Sequence, residues 1–106
     1  MGLFDFLKTA DINEGVRRFA QQEGAVLLDV RTRQEYGAGH IPGSINLPLQ
    51  QLEDAQDILP AKEAPVYVYC LSGGRSRQAA SLLRDMGYEN VSNIGGISSY
   101  RGKLEE

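Results

Sequence analysis

The chain has a single cysteine, Cys70, followed by Leu71-Ser72-Gly73-Gly74-Arg75-Ser76. The preceding stretch, Pro65-Val66-Tyr67-Val68-Tyr69, is β-branched and aromatic, which predicts a buried strand over residues 65–70. Beyond the glycines, Ala79, Leu82, Leu83 and Met86 recur at helical spacing and predict a helix over 76–86, closed by Gly87. The thiol therefore falls at the carboxyl end of a strand, where open α/β sheets form their ligand crevices. A glycine turn there points successive N–H groups inward as an anion nest. The helix start adds roughly half a unit of positive charge, and Arg75 adds a full charge nearby. All three favour thiolate over thiol, and the thiolate is the nucleophile. The bland alternative is a small buried hydrophobe on an ordinary tight turn. Joining the thiol directly to a helix start favours chemistry.

Other elements must hold this loop in place. Asp11-Ile12-Asn13-Glu14 reads as a capping box, and Ile12, Val16, Phe19 and Ala20 as the apolar side of a helix over 12–22, ended by Gly24. Residues 25–30 (AVLLDV) form a short continuous apolar run, expected of a strand buried on both faces. Residues 33–38 read as a helical turn, 44–47 as a brief extended piece, and 50–59 as one or two short helices. A third strand is expected over 91–94, then punctuation at Gly95-Gly96 and a last helical turn over 97–101. Strands alternating with helices imply an α/β domain with a mainly parallel sheet.

Composition narrows the function classes. The 106 residues carry 11 Lys plus Arg against 14 Asp plus Glu, a net charge of −3, which argues against nucleic acid as a partner. Hydrophobic content is 42% and charged content 24%, as expected of one globular domain. One cysteine and one histidine, His40, exclude an internal disulfide and a multi-Cys zinc site, so no metal is expected. No apolar run approaches the roughly 20 residues of a membrane span. The N-terminus lacks a basic start, and Phe6 occupies the position where myristoylation requires Ser or Thr. A reducing cytoplasm is the expected compartment, and a monomer the expected state.

Taken together, these segments resemble a single-domain rhodanese, a member of the sulfurtransferase superfamily. The family's active loop, Cys-x-x-Gly-x-Arg/Thr-Ser, matches Cys70 to Ser76. An earlier signature matches Leu28-Asp29-Val30-Arg31, Glu35-Tyr36, Gly39-His40-Ile41-Pro42-Gly43-Ser44 and Asn46-Leu47-Pro48. A closing signature matches Gly95-Gly96 followed by Tyr100, where Trp is more usual. The resemblance covers residues 10–103. It implies a three-layer α/β domain over residues 10–106 with a mainly parallel central sheet flanked by helices, preceded by an extension over residues 1–9. It also implies a sulfur relay. Cys70 takes the sulfane sulfur of thiosulfate or a persulfide, the loop Leu71, Ser72, Gly73, Gly74, Arg75 and Ser76 binds the substrate, and cyanide, a thiol or an acceptor protein removes the sulfur. No cofactor is needed for this two-step covalent chemistry.

Two rival readings remain. Cysteine-dependent phosphatases and arsenate reductases of the related fold place five residues between Cys and Arg. This chain has four, a cradle too tight for a tetrahedral phosphate, and Tyr69 stands where those enzymes carry His. A docking or regulatory module is the other, although such modules commonly lack the cysteine retained here.

The supporting residues carry weaker signals. Arg75 either binds an anionic donor or braces the loop, for instance through an ion pair with a carboxylate such as Asp29. Asp29 ends the first strand and is expected to give structural support beside the crevice. Arg31 and Arg33 either steer anions or are simply solvated. His40, in a Gly-His-Ile-Pro-Gly turn, is expected to be a hydrogen-bonded structural residue. Glu35 and an uncharged Leu71-Ser72 leave Arg75 as the loop's one cation, which disfavours a dianionic donor. Leu3, Phe4, Phe6 and Leu7 form an apolar cluster that either packs on the domain or meets a partner.

Overall fold

The computed structural model describes residues 10–106, so the apolar cluster at Leu3 to Leu7 lies outside the described residues. In chain order the elements are α1 (Ile12–Gln21), β1 (Val26–Asp29), α2 (Arg33–Ala38), β2 (Ser44–Asn46), a 3-10 turn over Leu49–Asp54, α3 (Ala55–Ile58), β3 (Val66–Cys70), α4 (Gly74–Asp85), β4 (Val91–Gly96) and a 3-10 turn over Ile97–Ser99. The strands form one sheet in the order β2-β1-β3-β4. Every neighbouring pair is parallel.

Both faces of the sheet are covered, which is why β1 and β3 read as nearly continuous apolar runs. Alternation along each strand sends neighbours to opposite cores. Leu28, Val66, Val68 and Cys70 join Ala79, Ala80 and Leu83 of α4 on one side. Leu27 and Tyr69 join Ile12, Ile41, Ile94 and Ile97 on the α1 side. Leu27 and Leu28 are both fully buried, and truncating either to alanine would cost about 2–5 kcal/mol. The Tyr69 hydroxyl, in a buried setting, accepts from the Ile41 N–H at 3.1 Å and donates to Ser44 Oγ at 3.2 Å. That contact ties β3 to the turn before β2.

Three local expectations change. Asp11 does cap α1, accepting from the Asn13 N–H at 3.0 Å. Glu14 does not complete a capping box there, because Arg17 and Arg18 lie one turn ahead and take its carboxylate. The reciprocal box forms instead at α2, where Thr32 Oγ1 accepts from the Glu35 N–H at 3.1 Å and Glu35 Oε1 accepts from the Thr32 N–H at 2.9 Å. Second, α4 starts at Gly74, ahead of the expected Ser76. Third, Gly95 and Gly96 do not end β4 but extend it, pairing with Tyr69 and Cys70 after a shift in register beside Val68. The reason is close approach. A Cβ on Gly96 would sit 2.3 Å from the Leu71 carbonyl oxygen, so only glycine lets the Cys70 loop fold back over this strand.

Candidate active site

Cys70 is the last residue of β3, buried, with the loop and the first turn of α4 wrapped around its sulfur. Gly73 takes φ +108°, a conformation open to glycine, and this turn aims its N–H at the sulfur. Gly73 N–H donates to Sγ at 3.0 Å, and Ser76 Oγ lies 3.3 Å from it. Burial alone would push the Cys70 thiol up. The Ser76 hydroxyl and the N–H groups of Ser76, Gly73 and Ser72 outweigh it and hold the thiol below its ordinary value. The direction is the one the loop sequence predicts. The main cause differs, because hydrogen bonds from Ser76 and the loop lead the lowering, ahead of any charge effect.

The sequence reasoning missed Asn93. Its Oδ1 accepts from the Gly95 N–H at 3.0 Å and from Ser76 Oγ at 2.7 Å, and its Nδ2 donates to the Gly73 carbonyl at 3.4 Å. The Gly95 contact fixes which way the amide points. A single side chain thereby links β4, the loop and α4. Asparagine is depleted in strands, and one inside Val91-Ser92-Asn93-Ile94 was the available signal. Ser76 has one hydroxyl proton and three close claimants: Asn93 Oδ1 at 2.7 Å, the Gly73 carbonyl at 3.1 Å and Cys70 Sγ at 3.3 Å. Either Sγ or Oγ can donate in the contact with Cys70, whereas a thiolate there can only accept.

The arginines fall differently from expectation. Arg75 does not meet Asp29. Its two terminal nitrogens donate to the two Glu35 carboxylate oxygens at 2.7 and 3.0 Å, so Arg75 braces the loop against α2. The Arg75 hydrogen bonds outweigh burial and, with Thr32, hold the Glu35 carboxyl at about 2. Asp29 belongs to Arg31. Arg31 is no solvated surface residue, because its guanidinium is buried against both Asp29 oxygens and the Gly39 carbonyl. Both residues thus tie β1 to the end of α2, and Asp29 makes no hydrogen bond to the Cys70 loop among the described residues. Arg33 donates to Gln51 at 2.9 Å near the surface. His40 Nδ1 lies 2.9 Å from the Tyr36 carbonyl, with its ring stacked on Tyr36 at 3.8 Å, and its backbone pairs with Glu105. That is a structural setting.

The loop, Gly73, Gly74 and Asn93 also border a polar groove of about 700 Å³ that continues past Arg77, Ser98 and Ser99. Among the described residues, no His, Cys, Asp and Glu side chains cluster to hold a metal ion, and no helix is long and apolar enough to cross a membrane.

Comparison with known proteins places this geometry among relatives. The thiosulfate sulfurtransferase PspE of Escherichia coli is 39% identical over 71 residues, covering 66% of this chain and 68% of that protein. The adenylyltransferase and sulfurtransferase uba4 of Ogataea parapolymorpha is 34% identical over 96 residues, and the chain spans 25% of its length and 90% of its own. The crystal structure of the Alr3790 protein from Anabaena superposes with a TM-score of 0.78 at 32% identity, covering 91% of this chain and 90% of that one. The rhodanese-like domain family matches residues 13–103, which takes in the whole Cys70 loop and, but for Ile12, both cores. By fold, loop and sequence alike, the chain belongs to the rhodanese-like domain family.

Proposed function

We propose that this protein is a rhodanese-type sulfurtransferase that relays sulfane sulfur through Cys70. The observation that carries the reading is the buried Cys70 sulfur with the Gly73 N–H at 3.0 Å and Ser76 Oγ at 3.3 Å, contacts that favour its thiolate form. In the first step the Cys70 thiolate attacks the outer sulfur of thiosulfate. A sulfur–sulfur bond forms to Cys70, the donor's own sulfur–sulfur bond breaks, and sulfite leaves with the electron pair. The product is an anionic persulfide, whose terminal sulfur is stabilised by the amides of the loop and the N-terminus of α4. In the second step cyanide or a thiolate bonds to that terminal sulfur, and the electron pair returns to Cys70. A persulfide donor enters the same cycle with a thiolate as leaving group. No second cysteine is present to resolve the persulfide, so the sulfur leaves to an external acceptor, a small thiol or a protein thiol. The cycle needs no cofactor or metal and suits a reducing compartment such as the cytoplasm. In this reading residues 10–106 act as one monomeric domain, with residues 1–9 as an extension. The similarity to the thiosulfate sulfurtransferase of Escherichia coli supports the assignment.

Intact mass spectrometry tests it. Wild-type protein incubated with thiosulfate, or with a small persulfide, is expected to gain one sulfur atom, which cyanide removes as thiocyanate. Cys70→Ser is expected to gain none. Equal transfer by both proteins would overturn the assignment.

A further inference from the structure

The Cys70 sulfur meets the Gly73 N–H at 3.0 Å and Ser76 Oγ at 3.3 Å. Asn93, on the neighbouring strand β4, bonds to both of these residues and, among the described residues, makes no hydrogen bond to the sulfur itself. The Gly95 N–H donates to Oδ1 and so fixes it as the acceptor that faces Ser76. At 2.7 Å this is the shortest contact of Ser76 Oγ, ahead of the Gly73 carbonyl at 3.1 Å and Sγ at 3.3 Å. Ser76 is 0% exposed, so its hydroxyl has no solvent to bond with. A hydroxyl has one proton to give. While it points at Asn93, Oγ can only accept from the thiol. A thiolate gains Ser76 as a donor only when that proton leaves Asn93.

We propose that Asn93 is a positioning residue acting on Cys70 through Ser76: it holds the hydroxyl proton while the sulfur is neutral and yields it when the sulfur is charged. On ionisation the S–H proton passes to solvent and the Ser76 O–H turns from Oδ1 to Sγ, while Oδ1 keeps the Gly95 N–H. Persulfide formation moves the negative charge one atom outward, to the terminal sulfur, and the O–H turns back to Asn93. No covalent bond of Ser76 or Asn93 is made or broken. This last turn rests on the sulfurtransferase reading, whereas the response to ionisation does not. Asn93 thus competes with the thiolate for a donor, the opposite of what a brace for the loop would do. The ionisable side chains around the thiol are otherwise engaged. Arg75 of α4 pairs with Glu35 of α2, and Arg31 pairs with Asp29 of β1. Arg77 of α4 is exposed, and β4 and the 3-10 turn after it carry no ionisable side chain.

The pH dependence of Cys70 alkylation by iodoacetamide reads the thiol without any sulfur transfer. Ser76→Ala removes the donor and is expected to raise the midpoint. Asn93→Ala releases the hydroxyl to the sulfur and is expected to lower it by about 0.5–1 pH unit, the worth of one neutral hydrogen bond. Asn93→Asp offers a charged acceptor to the same proton and is expected to raise it. In a Ser76→Ala background the Asn93→Ala shift is expected to vanish, and the Asn93→Asp shift to shrink to the direct repulsion of its charge. Loss of a mere brace would loosen the Gly73 N–H and raise the midpoint with or without Ser76. A raised or unchanged midpoint in Asn93→Ala, or shifts of equal size in both backgrounds, would overturn the proposal. Where Asn93→Ala does not fold, Asn93→Asp in the two backgrounds decides by the same criterion. Failure of wild type to load with thiosulfate or a persulfide counts against the sulfurtransferase reading and leaves the alkylation result standing.

Discussion

Arg31 and Arg75 each grip a carboxylate through a closest contact of 2.7 Å, yet they sit in different solvents. The side chains of Arg31 and Asp29 are 6% and 0% exposed, whereas those of Arg75 and Glu35 are 33% and 30% exposed. The same chemistry therefore does different work. The dry pair has no water to fall back on, so each member is stable only while the other is present. Its function is architectural, fastening β1 to the end of α2 through the Gly39 carbonyl. The wetter pair can be broken and hydrated. Its consequence is electrostatic: it neutralises the loop's own cation a few residues from Cys70.

The largest effect is expected from breaking the dry pair at one end. Asp29→Ala removes the acceptor for the Arg31 backbone N–H, for Nε and for Nη2. A buried guanidinium is left with the Gly39 carbonyl, and the expected loss is about 3–5 kcal/mol. Small domains have only about 5–15 kcal/mol in total, so the variant should be marginal. Urea unfolding checks this, with Asp29→Ala/Arg31→Leu alongside. The double variant removes the orphaned charge and should be more stable than Asp29→Ala. If the double variant is the less stable, burial of the charge is not what makes the pair important.

A smaller effect is expected at the wetter pair. Glu35→Gln keeps an oxygen to accept from the Thr32 N–H, so the cap of α2 survives. The Glu35 carboxyl is held at about 2 in the fold against an ordinary 4.5. A lowered folded value means stability that is present above about 4.5 and lost as pH falls towards about 2. Screening at this exposure limits the contribution to about 1 kcal/mol. Urea midpoints at pH 7 and pH 3 should fall further apart for wild type than for Glu35→Gln. Equal pH dependence would mean that water, rather than Arg75, sets the stability of this carboxylate.

The contrast also shows what a sequence can reveal. The Cys70 loop was legible because it is local: a strand period, two glycines and a helix period follow one another without a gap. The alternation of strands with helices, and hence the parallel sheet, was legible for the same reason. The partner of Arg75 was not, because it lies 40 residues away and depends on how α2 packs beside the loop. Asp29, the carboxylate offered as its partner, is occupied by Arg31, two residues on. Asn93 was hidden likewise, since its role exists only once β4 lies beside β3 and Gly96 admits the Leu71 carbonyl. The α1 capping box was a local pattern that failed, because Glu14 had two competing local partners and Glu35 had none on its own helix.

That competition supplies the smallest effect and completes the series by burial. Glu14 accepts from Arg17 at 2.9 Å and from Arg18 at 3.3 Å, all on the open face of α1. Its carboxyl is held below its ordinary value, chiefly by the Arg17 hydrogen bond, so by direction it resembles Glu35. The surroundings differ. Glu14, Arg17 and Arg18 remain 38%, 58% and 67% exposed, and water re-solvates whichever member is left behind. Glu14→Gln should therefore leave the urea midpoint within experimental error of wild type at pH 7, and sodium chloride should not separate the two. A clear destabilisation that salt removes would show that this surface network acts as a unit, and burial alone would then fail to rank the three carboxylates.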